Sequence, residues 1–298
     1  MSDAHKLRVA TYNIHKGVLS DYFGLKRMPV IHELRDRLHE LEADLVLLQE
    51  VQGRNERLAA RFNARWPAEP QDEFLASSSH RPSVFERAYG NNANYLHGHH
   101  GNALLSRYPI LHRENRDVSD HALEKRGILH CVVLIDEQPV HCFVVHFGLF
   151  ARSRLRQVDA LVKWVKAEVP ADAPLLIGGD FNDWQNRLSQ HLCGQLQVRE
   201  AFDCIKPQYR NVRKAVHFVR DRLGAMGVDF DAPDWPTPRR IKSARTFPSL
   251  APWLRMDRIY LRHFSVLDAQ VLRGPAWARM SDHSPLIVDM TLQPTGRK

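Results

Sequence analysis

The sequence predicts an α/β fold with mixed rather than purely parallel strands, and three observations lead there. Short runs rich in Val, Ile and Leu recur along the chain, amphipathic helical patterns separate some of them, and strand-like runs follow one another directly around residues 127–147 and again after Met256. The runs cover residues 7–14, 44–51, 127–135, 140–147, 174–178, 256–261 and 284–292, and their length and composition suit buried strands. After Pro29, a favourable first-turn residue, Ile31, Leu34, Leu38 and Leu41 fall on one helical face. After Ser153, which suits an N-cap, Leu155, Val158, Val162 and Val165 do the same. No repeat, low-complexity tract or Gly/Ser linker divides the chain, so one domain over residues 6–294 is expected.

With 298 residues, 44% hydrophobic and 26% charged, the chain can bury a substantial core, which excludes a short disulfide scaffold. No apolar run approaches the roughly 18 to 20 residues of a membrane span, and the first residues lack the apolar stretch of a secretory signal, so a cytoplasmic address is expected. Cys131, Cys142, Cys193 and Cys204 form no Cys-x-x-Cys pair, and all four read as packing thiols. The net charge of +8 favours an anionic substrate or surface, and a net +6 of it lies in residues 206–245, which read as a basic insertion. That segment is either a solvated basic surface or a substrate-facing one; Val212, Ala215, Val216, Val219 and Leu223 form an apolar stripe within it.

Polar residues stand at the C-terminal ends of the apolar runs: Asn13, Glu50, His146, and Asp180 with Asn182. Strand ends are where α/β proteins place their sites. Any one of these residues alone reads as a solvated strand end or a satisfied core histidine. Together, several carboxylates meeting in one cleft would each be costly unless paired, and they point to a hard cation held by oxygen ligands.

In chain order, Thr11-Tyr12-Asn13-Ile14, Leu48-Gln49-Glu50-Val51, Gly101-Asn102-Ala103-Leu104-Leu105-Ser106, Gly178-Gly179-Asp180-Phe181-Asn182-Asp183, Met256-Asp257-Arg258-Ile259-Tyr260 and Ser281-Asp282-His283-Ser284-Pro285 resemble the successive motifs of the endonuclease/exonuclease/phosphatase superfamily, the DNase I-like fold. The likeness is closest to a bacterial branch with Tyr-Asn-Ile-His-Lys-Gly near the start, here residues 12–17, and Glu-Lys-Arg-Gly at 124–127. The resemblance implies a four-layer sandwich of two packed mixed β-sheets flanked by helices, with a site at one end of the sheets. It also implies Mg²⁺-dependent hydrolysis of phosphodiesters, with Mn²⁺ a possible substitute. By motif, Glu50, Asn13 and Asp282 surround the metal, Asp180 deprotonates the attacking water, Asn182 holds the water or the developing charge, and His283, oriented by Asp257, donates to a phosphate oxygen. The chemistry agrees with this on its own terms, because an anionic phosphodiester repels a nucleophile unless a cation, hydrogen-bond donors and a base are in place.

The sequence also departs from part of the family. Members that cleave DNA at abasic sites carry an Asp and a Tyr where this chain has His15 and His146, so that activity is disfavoured. His146, followed by Arg154 and Gln157, is instead similar to sphingomyelinase-like, deadenylase-like and tyrosyl-phosphodiesterase-like members. Arg154, Asn102 and Arg126 are the expected substrate contacts, with Lys125 beside Arg126. His97, His99 and His100 match no zinc spacing and read as a loop at the cleft rim. The expected substrate is nucleic acid, or a lipid or other small phosphodiester with peripheral lipid contact. Trp235, Trp253 and Trp277 are candidates to stack on bases or meet lipid, against the simpler reading of core packing. A phosphomonoesterase and a non-catalytic binding module on the same fold are the alternatives.

Overall fold

The computed structural model describes residues 6–20, 27–78, 85–121, 124–205 and 244–293. The basic stretch at 206–243 and Trp235 within it lie outside the described residues. Fourteen strands are described: β1 (Lys6–Asn13), β2 (Val18–Ser20), β3 (Arg27–Pro29), β4 (Leu45–Asn55), β5 (Glu86–Tyr95), β6 (Gly98–Ser106), β7 (Ile110–Asp117), β8 (Gly127–Ile135), β9 (Gln138–His146), β10 (Leu175–Asp180), β11 (Arg199–Glu200), β12 (Asp257–Arg262), β13 (Phe264–Val271) and β14 (Leu286–Leu292). The helices are α1 (Ile31–Glu40), α2 (Glu56–Phe62), α3 (Gln71–Ala76), α4 (Ala151–Glu168), α5 (Ser189–Leu196), α6 (Ala201–Cys204) and α7 (Pro275–Ala278). One six-stranded sheet runs β13-β14-β1-β4-β6-β5 and the other runs β11-β12-β10-β9-β8-β7, while β2 and β3 form a separate ribbon. Both sheets are mixed: β1 runs parallel to β4, and β9 to β10, in otherwise antiparallel surroundings.

Period-two alternation builds the layers. Val9, Leu45 and Leu47 of the first sheet meet Leu129, Val144, Leu176 and Ile259 of the second in one buried cluster between the sheets. The alternate residues Ala10, Val46 and Leu48 face outward onto Ile31, Leu34 and Leu38 of α1 and Phe74 of α3. On the far side Phe143, Val145 and Ile177 meet Val158, Leu161, Trp164 and Val165 of α4 and Leu192 of α5. The result is the expected four layers, helix, sheet, sheet, helix. No described helix is long and apolar enough to cross a membrane. The four cysteines are free thiols, as read from the sequence.

Two helix starts differ from the sequence reading. Pro29 ends β3, and α1 begins at Ile31, with Val30 as its N-cap and the Val30 N–H bonded to the Gly17 carbonyl at 3.0 Å. Ser153 does not cap α4, which begins at Ala151; its hydroxyl donates to Asp120 Oδ2 at 2.6 Å instead. Leu155 is exposed, because the inward face of the first turns is occupied by Arg154 and Gln157. The histidine cluster is a third difference. Residues 96–97 form the turn of the β5–β6 hairpin, but His99 and His100 lie on β6, fixed by pairing with Asn94 and Ala93.

A buried histidine lies beneath α4. His130 on β8 stacks on Phe143 with ring centroids 4.3 Å apart, and its Nε2 is 3.0 Å from His141 Nδ1. Burial first, then the neighbouring His141 and His112, push His130 down to about 4, with Glu114 of β7 and Glu168 of α4 opposing. A free histidine titrates near 6.5, so between roughly 4 and 6.5 the unfolded chain binds more protons than the folded one. Stability is therefore full above that window and falls as pH drops through it, by on the order of 2–3 kcal/mol near pH 4.5. Urea midpoints at pH 7.5 and 4.5 should show a smaller acid loss for His130→Phe than for the wild type; equal losses would assign the acid sensitivity elsewhere.

Candidate active site

Strand register assembles half of the site before any side chain is considered. In the second sheet Asp180, the last residue of β10, is paired with His146 at the end of β9 and with Asp257 at the start of β12. Three adjacent strands thus present His, Asp and Asp in one row. In the first sheet β1 ends at Asn13 beside Gln49, and Glu50 follows. Glu50 sits at a bulge between Leu48 and Val51 with φ of 56°, a left-handed backbone that turns its side chain out of the strand alternation. Gly179, with φ of 150°, permits the close approach of β10 to β9, since a Cβ there would lie 1.9 Å from the Val145 carbonyl oxygen.

The two halves meet on one atom. Asp180 Oδ2 accepts from Asn13 Nδ2 at 3.2 Å and lies 3.6 Å from both His146 Nε2 and His283 Nε2. Asp180 Oδ1 is occupied by the Asn182 N–H at 2.9 Å. His283 Nδ1 bonds Asp257 Oδ2 at 2.8 Å, and Phe247 packs on the imidazole with ring centroids 5.0 Å apart. Asp180, Asp257 and His283 are all buried, and their ligand atoms lie within 4.8 Å of one another.

Burial raises the Asp180 carboxyl, and Asp257 adds to this against the opposing charge of His283, bringing it to about 6. Burial also disfavours the His283 imidazolium, but Asp257 and Asp180 outweigh it and raise His283 to about 10. His146 goes the other way: burial and then Arg126 push it well below the ordinary histidine range, so at neutral pH it is the uncharged imidazole. Burial raises Glu50, yet its interactions with His146, Lys16 and His15 more than compensate and hold it at about 2.

Most of the residues singled out from the sequence gather here, some in other postures. Asn13 turns its amide nitrogen toward Glu50 Oε1, at 3.4 Å, and toward Asp180, because its amide oxygen accepts the His15 N–H at 3.0 Å. It therefore bridges two carboxylates as a donor rather than facing them as an oxygen ligand. Asp282 sits at the mouth, half exposed, 3.5 Å from His15 Nδ1. Asn182 donates its side-chain amide to the Phe147 carbonyl at 2.9 Å. Asn102 is fully buried between the sheets, donating to the carbonyls of Gly127 and Val144 at 2.9 and 3.2 Å. Arg154 holds the Gly148 and Leu149 carbonyls and lies over the Trp184 ring, while Gln157 accepts the Gly148 N–H at 2.8 Å. Arg126 donates to Glu124 Oε1 at 3.0 Å. Among the tryptophans, Trp277 packs on Tyr12, whereas Trp253 is exposed.

Sequence reasoning passed over two groups. Lys16 Nζ stands 3.7 Å from Glu50 Oε2, and its place in the Tyr-Asn-Ile-His-Lys-Gly stretch was the available signal. Arg258 is wholly buried, donating to the Asp183 carbonyl and Asn186 Oδ1, both at 2.6 Å, with the Asp183 carboxylate 3.5 Å away. It ties down the loop that carries Asn182.

The family model for the Endonuclease/Exonuclease/phosphatase family matches residues 10–283, spanning both halves of this site. The chain belongs to the endonuclease/exonuclease/phosphatase family. Within it, the uncharacterised protein YbhP of Escherichia coli strain K12 is 36% identical over 287 residues, covering 96% of each chain. Among solved structures of the same architecture, D. rerio TDP2 complexed with a single-strand DNA product matches with a TM-score of 0.61 at 16% identity, over 96% of this chain and 99% of that one. The human Nocturnin catalytic domain with a bound sulfate anion gives 0.61 at 17% identity, over 97% and 95%. At such identities the likeness is one of fold, which this family member shares from end to end.

Removing one partner of a buried ion pair strands the other. Arg258→Met is therefore expected to cost about 3–5 kcal/mol in urea unfolding. A loss below about 1 kcal/mol would show that the 181–188 loop holds without this arginine.

Proposed function

We propose that the protein is a metal-dependent hydrolase that cuts phosphodiesters by in-line attack of water on phosphorus. The observation that carries this reading is Asp180 Oδ2, where a buried carboxylate oxygen is met by one amide and two imidazoles from both sheets. The donor set fits a hard divalent cation. Glu50 and Asp282 supply carboxylate oxygens, Asp257 Oδ1 is buried without a hydrogen-bond partner, and no thiol takes part in the described site. Mg²⁺ suits such oxygens, with Mn²⁺ as substitute; when bound it would offset phosphate charge and stabilise the leaving oxygen.

The chain's own residues divide the rest. Glu50 and Asp282 hold the cation, and Asn13 keeps Glu50 and Asp180 together. Asp180 Oδ1 is fixed by the Asn182 N–H and Oδ2 is held by the Asn13 amide, so a remaining lone pair of Oδ2 takes the proton from water. His283, kept protonated by Asp257, donates through Nε2 to a non-bridging oxygen, and neutral His146 presents its ring N–H to the charge that develops. Arg126 faces substrate phosphate at the mouth. Arg154 and Asn102 support substrate binding indirectly, through the loop after His146 and the start of β8.

Nucleic acid is one substrate class this chemistry serves. A lipid diester is a second reading with its own support, since Leu149, Phe150, Trp184, Leu250 and Trp253 are all exposed on the loops flanking His146, Asn182 and His283. Activity in a reducing, cytoplasmic setting is compatible with four free thiols.

Exhaustive EDTA treatment should abolish hydrolysis of bis(4-nitrophenyl) phosphate, and Mg²⁺ or Mn²⁺ should restore it. Full activity without metal would remove the mechanism, and turnover of 4-nitrophenyl phosphate alone would mark a phosphomonoesterase. Asp180→Asn should lower kcat by at least about a hundredfold with the fold intact. Glu50→Gln should instead raise the metal concentration needed for half-maximal rate and recover in part at high Mg²⁺. Near wild-type rates for both at limiting metal would refute these roles and leave a binding module on the same fold.

A further inference from the structure

Of the motif Glu-Lys-Arg-Gly at 124–127, only Arg126 enters the proposed chemistry. Glu124, two residues before it, has a side chain 11% exposed and reaches across to the segment that follows His146. Its Oε1 accepts the Leu149 N–H at 3.0 Å and Arg126 Nη2, also at 3.0 Å. One oxygen thus joins two parts of the chain that lie 25 residues apart. The other oxygen is fitted as closely. Glu124 Oε2 is buried, 3.8 Å from His121 Nε2, and a Cβ on Gly148 would come within 2.4 Å of it. The β7–β8 connection that carries Glu124 is itself fastened to α4, where Asp120 accepts from the Ser153 hydroxyl at 2.6 Å and pairs with Arg156.

Stability does not account for this bridge. An ion pair between residues two apart in a surface connection contributes little, and Leu149 is exposed, so water can replace Glu124 at its N–H. The segment after His146 also has other supports. Asp180 and Asn182 hold Phe147, while Arg154 and Gln157 hold Gly148. Arg126 has fewer. Among the described residues its guanidinium donates to Glu124 Oε1 and to the Lys125 carbonyl, and of these two Glu124 alone ties it to the segment after His146. Arg126 in turn acts electrostatically on His146.

We propose that Glu124 is a positioning residue: it fixes the Arg126 guanidinium against the segment that follows His146, so that Arg126 and His146 meet the substrate phosphate in a set arrangement. This rests on the phosphodiesterase reading and adds to it a group that touches no substrate. A guanidinium already held in place has less freedom to lose when substrate arrives, and small displacements of such groups are felt in the rate.

A double-mutant cycle tests it. Glu124→Ala should lower kcat/KM for bis(4-nitrophenyl) phosphate about tenfold with circular dichroism unchanged, whereas Glu124→Gln, which keeps an acceptor oxygen, should retain most of the rate. In an Arg126→Met background the alanine change should cost less than about twofold, because the bridge then holds nothing. The full loss in that background, or no loss in the parent chain, would overturn the proposal. NMR of the ring nitrogens gives a readout without turnover. The His146 signals should move in the same direction in Glu124→Ala and Arg126→Met and stay in place in Glu124→Gln. If the parent chain cuts no phosphodiester, the hydrolase reading fails while the bridge is still decided by these signals: His146 unmoved by Glu124→Ala would overturn it.

Discussion

A single carboxylate at the seam of two sheets sets the terms for the whole molecule. Asp180 is 2% exposed, and a carboxylate so enclosed is costly unless neighbours replace its water. Here they do so from both sheets: Asn13 from the first, His146 and the Asn182 N–H from the second, and His283 from the loop before β14. That loop is itself pinned to the first sheet, since Ser281 Oγ donates to the Asn13 carbonyl at 2.7 Å. Separating the sheets at this end would therefore strand a buried charge, and the apolar cluster between them and the polar site at their edge hold the same interface closed.

Rigidity of the supporting layer follows from the same constraint. Asp180 is held in place by ladder pairing on both sides, but Asn182 and Asp183 lie beyond the strand, where loops ordinarily move. The fold compensates by burying Arg258 under this loop and by letting the Asp183 carboxylate accept the N–H groups of Arg187 and Leu188, at 3.1 and 2.8 Å. On the opposite bank, Arg154 and Gln157 do the equivalent for the loop after His146, gathering its carbonyls and the Gly148 N–H. Both arginines work on backbone, which is why their charge is spent on position.

These arrangements also explain what could be read from the sequence. The inner strands β1, β4, β8, β9, β10, β12 and β14 are buried on both faces, so they read as continuous Val/Ile/Leu runs, and the polar residues ending them stood out at once. Strands β5 and β7 lie at sheet edges with one wet face, and their sequences, Glu-Arg-Ala-Tyr-Gly and Ile-Leu-His-Arg-Glu, lack such a run. Strand β6 lies inside the first sheet, between β4 and β5, but its half-buried first half carries His99 and His100, and this is why a rim loop was the natural reading there. Helix α4 defeated a purely apolar criterion because its first turns bury Arg154 and Gln157 for the loop while exposing Leu155. Lys16 stood in a legible motif, but its placement beside Glu50 could not be read, because it depends on a left-handed backbone and on Gln71, far away in sequence.

The two central carboxylates show how one fold gives the same functional group two temperaments. Asp180 is enclosed beside Asp257, so burial dominates and its proton affinity rises to about 6, close to the range where a base is effective near neutral pH. Glu50 lies nearer the mouth, where Lys16 and His15 add positive field, and it stays a carboxylate down to about 2. A group that never protonates under ordinary conditions is suited to hold a cation, whereas one poised to accept a proton is suited to activate water. The division of labour proposed for them therefore does not rest on motif position alone. It follows from the bulge that swings Glu50 toward Lys16 and from the register that sets Asp180 between His146 and Asp257.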